Sequence, residues 1–253
     1  MMRGENIERF DLSSLRFSTT AGEPMNPDIF DFWKKLTGLS IFEGFGQTET
    51  PLTIANIEGM TPRPGSMGKP SPLYDIAILR DDLSRCNPGE IGEICINCTP
   101  KPQGIMVGYY GNEEKTAEAF SGGWYHTGDT AYIDEDGFYW YIGRNDDVIK
   151  SSGYRIGPFE IESVLLLHDA VLECAVTGVD DPIRGKAVKA TVVLAPGWKP
   201  SESLTHELQT WVKRKTAPYK YPRIVEYVDS LPKTVNGKIR RGEIRDRTQN
   251  TGS

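Results

Sequence analysis

Residues 41–50 read IFEGFGQTET, an apolar run followed at once by glycines and small polar residues. The apolar run at 41–45 predicts a buried β-strand, and Gly38 suits the C-cap of a preceding helix over 28–37. Glycines let backbone N–H groups approach a ligand, a threonine hydroxyl can donate to a phosphate oxygen, and a carboxylate can hold Mg²⁺ there. A strand-to-helix turn with capping threonines explains the same spacing equally well, so this stretch alone leaves both interpretations open.

The sequence divides into four regions, the first of which contains this stretch. Residues 1–70 carry strand and helix signals and predict an α/β region. Residues 71–144 hold short β-rich runs between turns and predict a small antiparallel sheet or β-barrel, of which we expect the β-barrel. Residues 145–147 are polar and aperiodic and predict a hinge, and 148–253 predict an α+β domain. The predicted strands lie at 15–19, 41–45, 75–79, 92–97, 132–133, 138–142, 172–177, 187–194 and 223–228, and the helices at 28–37, 158–167 and around 204–212.

Length and composition exclude several classes of protein. The 253 residues fit one or two domains, and no apolar run approaches the ~18 residues that a bilayer span needs. The first residues lack the apolar stretch of a signal peptide. Four cysteines are too few for a disulfide framework, so we expect a reduced, cytoplasmic protein without a membrane span.

Charge is unevenly distributed along the sequence. Residues 1–145 carry 12 Lys and Arg against 21 Asp and Glu, whereas the stretch from Lys213 onward carries 11 against 4. This asymmetry predicts that the C-terminal end meets an anion such as a nucleotide or phosphate. A nucleic-acid-binding module is the rival explanation, but it needs a recognisable aromatic or helical platform, so we expect no nucleic-acid partner.

Three further segments combine glycine with polar side chains. Residues 124–129 (WYHTGD) place a carboxylate after a glycine, as suits ribose hydroxyls, although a hairpin turn explains the segment as well. Residues 143–156 set two arginines and a lysine among glycines, which predicts either a phosphate grip or a solvated linker. Residues 231–241 place Lys238 after an Asn-Gly turn, and that lysine either enters a neighbouring cleft or lies on the surface.

The spacing of Cys95 and Cys98 is that of many metal sites. In a strand, however, residues i and i+3 point to opposite faces, and the sequence has no second Cys or His pair at zinc-ligand spacing. We therefore expect buried thiols here, and we assign no catalytic role to the three histidines.

Four of the segments described above, taken in order, resemble the adenylate-forming (AMP-binding) acid–thiol ligases, which include acyl-CoA synthetases, luciferases and peptide-synthetase adenylation domains. The four segments are residues 43–50, 124–129, 143–156 and 231–241. The resemblance is greatest to the acetyl- and medium-chain acyl-CoA synthetases, of which residues 152–155 and 232–238 are typical. It implies the adenylate-forming fold with a mobile C-terminal domain. It also implies that ATP activates a carboxylic acid as an acyl-adenylate, from which coenzyme A (CoA) then displaces AMP.

The resemblance also implies roles for individual residues. The nucleotide would contact Gly22, Glu23, Pro24, Glu43, Gly44, Phe45, Gly46, Gln47, Thr48, Asp129 and Arg144. Thr48 would meet the α-phosphate, and Asp129 and Arg144 the ribose. Glu49 would hold Mg²⁺, Asp146 would be the hinge, and Lys238 would be catalytic. CoA would contact Ser152, Gly153, Tyr154, Arg155, Arg184 and Lys213.

One position bears on the acid that is activated. Acetate-specific members of the family have a tryptophan directly before the Gln-Thr-Glu run, where this sequence has Gly46. We therefore expect acids larger than acetate.

The sequence departs from the family pattern in one respect. The Ser/Thr/Gly-rich loop ending in Pro-Lys, which wraps the ATP phosphates, does not occur in these 253 residues, so the resemblance covers only the C-terminal half of a synthetase. We therefore do not expect full activity from this chain alone. Strands in 1–70 would lack sheet partners, and exposed strand edges predict self-association.

Two alternatives to a CoA ligase stay open. A peptide-synthetase adenylation domain would deliver its acyl group to a carrier protein, but Arg184 and Lys213 suit the CoA phosphates better. The second alternative is a catalytically silent fragment that binds nucleotide or CoA.

Overall fold

A computed structural model describes residues 7–235 and 237–250. The chain divides into two compact units, Met1–Tyr141 and Ile142–Ser253. This boundary lies just before residues 145–147, whose role as a hinge stays a prediction. No helix in the described part of the chain has both the length and the apolar character needed to cross a bilayer.

Among the described residues, the first unit holds two four-stranded sheets and two helices, and the last strand of the second sheet runs past the unit boundary at Tyr141. One sheet has the strand order β1-β2-β3-β4 and the other β5-β6-β7-β8. The elements are β1 (Ser18–Ala21), α1 (Pro27–Thr37), β2 (Ile41–Gly46), β3 (Leu52–Ala55), β4 (Lys69–Pro70), β5 (Ile76–Leu79), β6 (Gly92–Asn97), α2 (Glu113–Ala119), β7 (Trp124–Ile133) and β8 (Tyr139–Arg144), with short 3₁₀ turns at Ile7–Arg9 and Ser121–Gly123.

Helix α1 is fixed by both of its ends. Asn26 caps the first turn, since its side-chain oxygen accepts from the Asp28 N–H at 3.0 Å. Gly38 follows in the left-handed region at φ 74°, and its N–H donates to the Lys34 carbonyl, as predicted from the sequence. The helix connects β1 to β2, which run parallel with Ala21 opposite Gly44. The carboxyl ends of β1 and β2 therefore meet at one edge of the sheet.

The second sheet is antiparallel and open. The predicted barrel over 71–144 is wrong on this point, because the described residues form only four strands in a row, too few to close. One face of this sheet packs with β3 through Ile54, Ile78, Ile94, Ile96 and Tyr125, each at most 2% exposed. The sheet that carries residues 124–129 is therefore anchored in an apolar core.

The second unit packs helices on both faces of a five-stranded sheet. The strand order is β10-β9-β12-β11, and β13 pairs in parallel with β12. The elements are β9 (Ile149–Ser151), β10 (Tyr154–Ile156), α3 (Pro158–Leu165), β11 (Val171–Asp181), β12 (Gly185–Leu194), α4 (Glu202–Lys215), β13 (Ile224–Tyr227) and α5 (Arg241–Asn250).

Alternating residues of β11 serve the two faces of this sheet. Cys174 and Val176 face the main core, which includes Ile161 of α3 and Leu208 of α4, whereas Ala175 joins a smaller cluster with Ile244 of α5. This alternation is the two-residue period of a strand. Helix α5 and the residues before it are thus attached to the sheet from the side opposite α3 and α4.

Candidate functional site

The polar stretch after β2 is shaped by close backbone packing. A Cβ atom built on Gly46 would lie 2.5 Å from the Pro51 carbonyl oxygen, so β3 approaches too closely for any side chain at this position. The chain then turns: the Gln47 N–H donates to Thr50 Oγ1 at 3.0 Å, and Thr50 N–H donates to the Gln47 carbonyl. This turn leaves Thr48 exposed at its tip.

A wide bulge in β7 positions Asp129. Cys95 of β6 lies opposite His126 and Glu93 lies opposite Thr130, so one residue of β6 faces the three residues from Thr127 to Asp129. Such an insertion bends a strand and re-aims its side chains. Within the bulge Gly128 has φ 71°, a left-handed conformation that favours glycine. The Asp129 carboxylate is consequently held nearly buried at the sheet surface, with 7% exposure.

A polar network joins the bulge to the turn after β2. Gln47 Nε2 donates to the Thr127 carbonyl at 2.8 Å and to Asp129 Oδ2 at 2.5 Å. Tyr125 donates its hydroxyl to Gln47 Oε1 at 2.9 Å, which fixes the amide orientation. Tyr141 donates to Asp129 Oδ1 at 2.9 Å. Both carboxylate oxygens therefore accept hydrogen bonds, and the structure brings the predicted residues Gln47 and Asp129 together.

The sequence interpretation missed the two tyrosines of this network. Burial raises the pKa of the Tyr125 phenol, so the hydroxyl keeps its proton and acts as a donor. Tyr141 is the third residue of β8, a strand that the sequence predicted at 138–142. Nothing in the strand pattern shows that its hydroxyl reaches a residue 12 positions earlier.

Glu49 lies beside this network. Its backbone carbonyl accepts from the Met106 N–H at 2.8 Å, and its carboxylate Oε1 accepts from the Tyr109 hydroxyl at 3.2 Å. The carboxylate is partly buried and held by a tyrosine, an arrangement that keeps a hard oxygen ligand in a fixed place. The donor chemistry of Glu49 therefore fits the predicted Mg²⁺ ligand.

Glu43 ties residues 22–25 to the carboxyl end of β2. Its Oε1 accepts from the Met25 N–H at 3.1 Å, and the side chain is only 6% exposed. Gly22, Glu23 and Pro24 thus lie at the same sheet edge as Gly44 and the residues after it. Desolvation by burial raises the pKa of Glu43 to about 7.

We expect Glu43→Gln to flatten the dependence of stability on pH. The pKa of Glu43 is about 7 in the fold but about 4.3 in an unfolded chain, so folding favours its protonated form. Its contribution to the free energy of unfolding is therefore greatest below pH ~4.3 and is lost as pH rises to ~7, up to about 3 kcal/mol. Urea unfolding from pH 5 to 8 would show a smaller loss in Glu43→Gln than in the parent chain. The exposed Glu58→Gln serves as the control, and equal slopes in all three proteins would contradict the assignment.

In the second unit, the predicted hinge is joined to α5 by ion pairs. Asp146 is exposed and accepts from Arg144 Nε at 3.0 Å. Asp147 has 9% side-chain exposure and accepts a short hydrogen bond from Arg245. Arg245 also lies 3.7 Å from Asp146. Both hinge aspartates therefore pair with an arginine of α5, a helix that the sequence interpretation did not predict.

A second ion pair lies deeper in this unit. Glu162 of α3 has 6% side-chain exposure and accepts from Arg241 at 3.1 and 2.7 Å and from the Val176 N–H at 2.8 Å. The same guanidinium reaches Asp147 at 4.0 Å. Arg241 thus connects α3, the hinge and the first turn of α5.

We expect Arg241→Met to destabilise the chain by about 3–5 kcal/mol, because Glu162 would stay buried without its charged partner. The double variant Arg241→Met/Glu162→Met should recover most of that loss, since an apolar pair needs no compensation. Arg247→Met, which removes an exposed ion pair on the same helix, is the control and should cost under ~1 kcal/mol. Urea unfolding measures all three, and a loss for Arg241→Met no larger than the control's would show that the pair is not a structural anchor.

The predicted CoA residues lie partly together. Ser152 and Gly153 form the two-residue turn between β9 and β10, with φ 50° and 83°, which matches a tight hairpin turn. The Ser152 N–H donates to the Arg184 carbonyl at 2.9 Å, so the structure brings these two predicted residues together. Tyr154 stacks on Tyr219 with ring centroids 4.0 Å apart. Tyr219 is a further aromatic residue of this surface that the sequence interpretation did not select.

Arg155 belongs to the same hairpin, since it follows Tyr154 in β10. Lys213 lies on another element: it is exposed in the last turn of α4, with its ammonium 4.7 Å from the Tyr221 ring centroid.

Lys238 is exposed on a small hairpin before α5. Thr234 N–H donates to the Lys238 carbonyl at 2.8 Å, Lys238 N–H donates to Thr234 Oγ1 at 3.1 Å, and Lys233 pairs with Ile239. Asn236, part of the predicted Asn-Gly turn, lies outside the described residues. The hairpin therefore presents Lys238 at the surface of the second unit, and its catalytic role stays a prediction. Asp129 belongs to the first unit and Arg144 and Lys238 to the second, so a site shared by them stays a prediction.

Two family descriptions of known proteins match this chain. The family described as "AMP-binding enzyme" matches residues 1–110, and "AMP-binding enzyme C-terminal domain" matches residues 160–238. Together the two matches cover more than half of the chain. The chain belongs to the AMP-binding enzyme family. The resemblance inferred from the sequence is thus confirmed.

Known relatives of this AMP-binding chain are CoA ligases by name. It is 48% identical over 248 residues to the mouse protein "Acyl-coenzyme A synthetase ACSM3, mitochondrial", a match that covers 97% of the chain and 43% of the relative. It is 47% identical over 245 residues to 4-hydroxybutyrate–CoA ligase 1 of Metallosphaera sedula, again with 96% and 43% coverage. The chain therefore spans less than half the length of these relatives. The mouse relative is mitochondrial by name, so the cytoplasmic location expected for this chain stays a prediction.

A solved structure confirms the adenylate-forming fold. The anthranilate CoA ligase AuaEII, crystallised with anthranoyl-AMP, superposes with a TM-score of 0.86 at 37% identity. The match covers 98% of this chain and 46% of that one. The roles of individual residues in this AMP-binding chain are predictions that these comparisons do not test.

Proposed function

We propose that this chain forms part of an ATP-dependent acid–thiol ligase that makes an acyl-adenylate and then acyl-CoA. The single observation that carries the proposal is the Asp129 carboxylate, nearly buried and fixed by Gln47 and Tyr141 next to the exposed Thr48 turn. A preoriented carboxylate suits a ribose diol, and a turn with a free hydroxyl suits a phosphate. The family membership and the names of the relatives support the same class of reaction.

Within this proposal the first unit binds the nucleotide. The sheet edge formed by Gly22–Pro24 and by 43–47 borders the adenine and the acyl group. Thr48 donates its hydroxyl to the α-phosphate, and Asp129 accepts hydrogen bonds from the ribose hydroxyls. Arg144, from the second unit, donates to the same ribose. Glu49 would hold Mg²⁺, which neutralises phosphate charge when bound.

The second unit would supply a mobile lysine and the thiol-binding surface. Lys238 places its ammonium where negative charge develops between the carboxylate and the α-phosphate. Asp146 is the hinge about which the unit turns between the two half-reactions, because few residues need to change their backbone angles in such a rotation. Ser152, Gly153 and Tyr154 would line the path of the thiol, and Arg155, Arg184 and Lys213 would meet the CoA phosphates.

We expect Lys238→Ala to block adenylation selectively. A suitable host is a chimera in which this chain replaces the matching segment of the mouse relative. Loss of one preorganised charge should lower the adenylation rate about 10²–10³-fold, measured as pyrophosphate release. Thioester formation from a supplied acyl-adenylate should stay within about twofold, because the lysine acts only in the first step.

Lys233→Ala is the matched control for this experiment. Lys233 lies on the same hairpin and its ion pair with Glu173 is partly exposed, so its removal should leave both half-reactions unchanged. Equal losses in the two half-reactions for Lys238→Ala, or equal effects of the two variants, would contradict the proposed role of Lys238.

We further propose that the acid is larger than acetate. Gly46 carries no side chain, and the close approach of Pro51 prevents one from being added without moving β3. A tryptophan cannot therefore close the acyl pocket from this position. Thioester formation is assayed with acids from acetate to octanoate, on the chimera and on the mouse parent. The kcat/KM of the chimera should be higher for butyrate and longer acids than for acetate. A strong preference of the chimera for acetate would overturn this proposal.

A further inference from the structure

Three potential metal ligands meet across two neighbouring strands. Cys95 of β6 lies directly opposite His126 of β7, and Glu93 lies two residues before Cys95, on the same face of the sheet. One ligand atom from each side chain lies within 4.8 Å of the other two. His126 Nδ1 is central, 2.9 Å from Glu93 Oε2 and 3.6 Å from Cys95 Sγ. The sequence spacing hides this cluster, because it depends on strand register.

The sulfur-to-nitrogen distance of this cluster matches the one around a tetrahedral zinc ion. Bonds of about 2.3 Å to sulfur and about 2.0 Å to nitrogen place the two ligand atoms about 3.5 Å apart. The sulfur-to-nitrogen distance here is 3.6 Å. Oxygen and nitrogen ligands of one ion lie about 3.3 Å apart, so the Glu93 carboxylate would withdraw by a few tenths of an ångström from its present 2.9 Å.

We propose that Glu93, Cys95 and His126 form a binding site for Zn²⁺, with water as the fourth ligand. A thiolate, an imidazole and a carboxylate together favour Zn²⁺ over Mg²⁺, which prefers oxygen ligands alone. Binding displaces the thiol proton of Cys95 to solvent, His126 coordinates through Nδ1 as the neutral ring with its proton on Nε2, Glu93 coordinates as the carboxylate, and no electrons are transferred.

Two of the three ligands are partly exposed. The side chains of Glu93 and His126 are 22% and 20% exposed, whereas Cys95 is buried. Within the proposal, solvent therefore reaches the cluster at the carboxylate and the imidazole, where water completes the coordination.

The site is structurally connected to the bulge that carries Asp129. The second oxygen of Glu93, Oε1, accepts from the Gly128 N–H at 2.9 Å. A bound ion would thus restrain His126 at the start of the bulge and, through Glu93, Gly128 in its middle. The binding of Zn²⁺ itself does not depend on the proposed ligase function, so the two can fail separately.

Co²⁺ added to the untagged, chelator-treated 253-residue chain tests the site directly, because cobalt reports its ligands in the absorption spectrum. We expect one ion per chain, a thiolate-to-cobalt charge-transfer band and the intense visible bands of tetrahedral cobalt. Zn²⁺ alone should abolish these bands by displacement, and the displacement titration gives its affinity.

Variants locate the site. Cys95→Ser should abolish the charge-transfer band, and His126→Asn and Glu93→Gln should each weaken Zn²⁺ binding at least tenfold. Cys98→Ser is the matched control, since Cys98 is a partly buried thiol at the end of the same region and no ligand of the cluster; it should change neither property.

Circular dichroism of each variant separates loss of the site from loss of the fold. The partly exposed positions Glu93 and His126 give a test even if the buried Cys95→Ser fails to fold. Absence of a charge-transfer band in the parent chain would overturn the proposal. A band that survives in folded Cys95→Ser, or one that disappears in Cys98→Ser, would also overturn it. If the band survives in Cys95→Ser, the three side chains are only a hydrogen-bonded histidine–glutamate pair beside a buried thiol.

Discussion

The proposed nucleotide site depends on one constraint, which is that the nearly buried carboxylate of Asp129 must be hydrogen-bonded. A carboxylate that loses water without gaining donors is strongly disfavoured. Gln47 and Tyr141 supply those donors, and Tyr125 in turn fixes the amide of Gln47. The network therefore does more than satisfy one side chain, because it joins the turn after β2 to the bulge of β7. A change in any of its members would move both.

The network also depends on the backbone positions of two glycines. The bulge needs a left-handed residue, which Gly128 provides, and the turn after β2 needs a residue without a side chain, which Gly46 provides. The two glycines are therefore explained by backbone conformation in one case and by close packing in the other. This distinction matters for Gly46, since an open acyl pocket and a tightly packed strand would both leave glycine at that position.

How much the sequence predicts depends on whether the signal is local. Helix α1 with its C-cap Gly38, and strand β6, were predicted because a capping residue and a strand run are local features. The barrel was wrong, because closure depends on strand number and pairing. The Tyr141–Asp129 contact and the Cys95–His126 pair were missed since both depend on register between strands. Helix α5 was missed because its polar sequence lacks an apolar stripe, and in the structure ion pairs and Ile244 attach it.

The ion pairs of α5 bear on how a hinge at Asp146 could work. Asp146 is exposed, and its pairs with Arg144 and Arg245 are partly or fully exposed, so water can replace them at little cost. Asp147 and Glu162 are nearly buried, and breaking their pairs would leave uncompensated charge. Rotation is therefore least costly if it occurs on the N-terminal side of Asp147, with Asp147, α3 and α5 moving as one body. Since the Lys238 hairpin directly precedes α5, the lysine would then move with that body, and its position would be set by the backbone angles of one exposed residue.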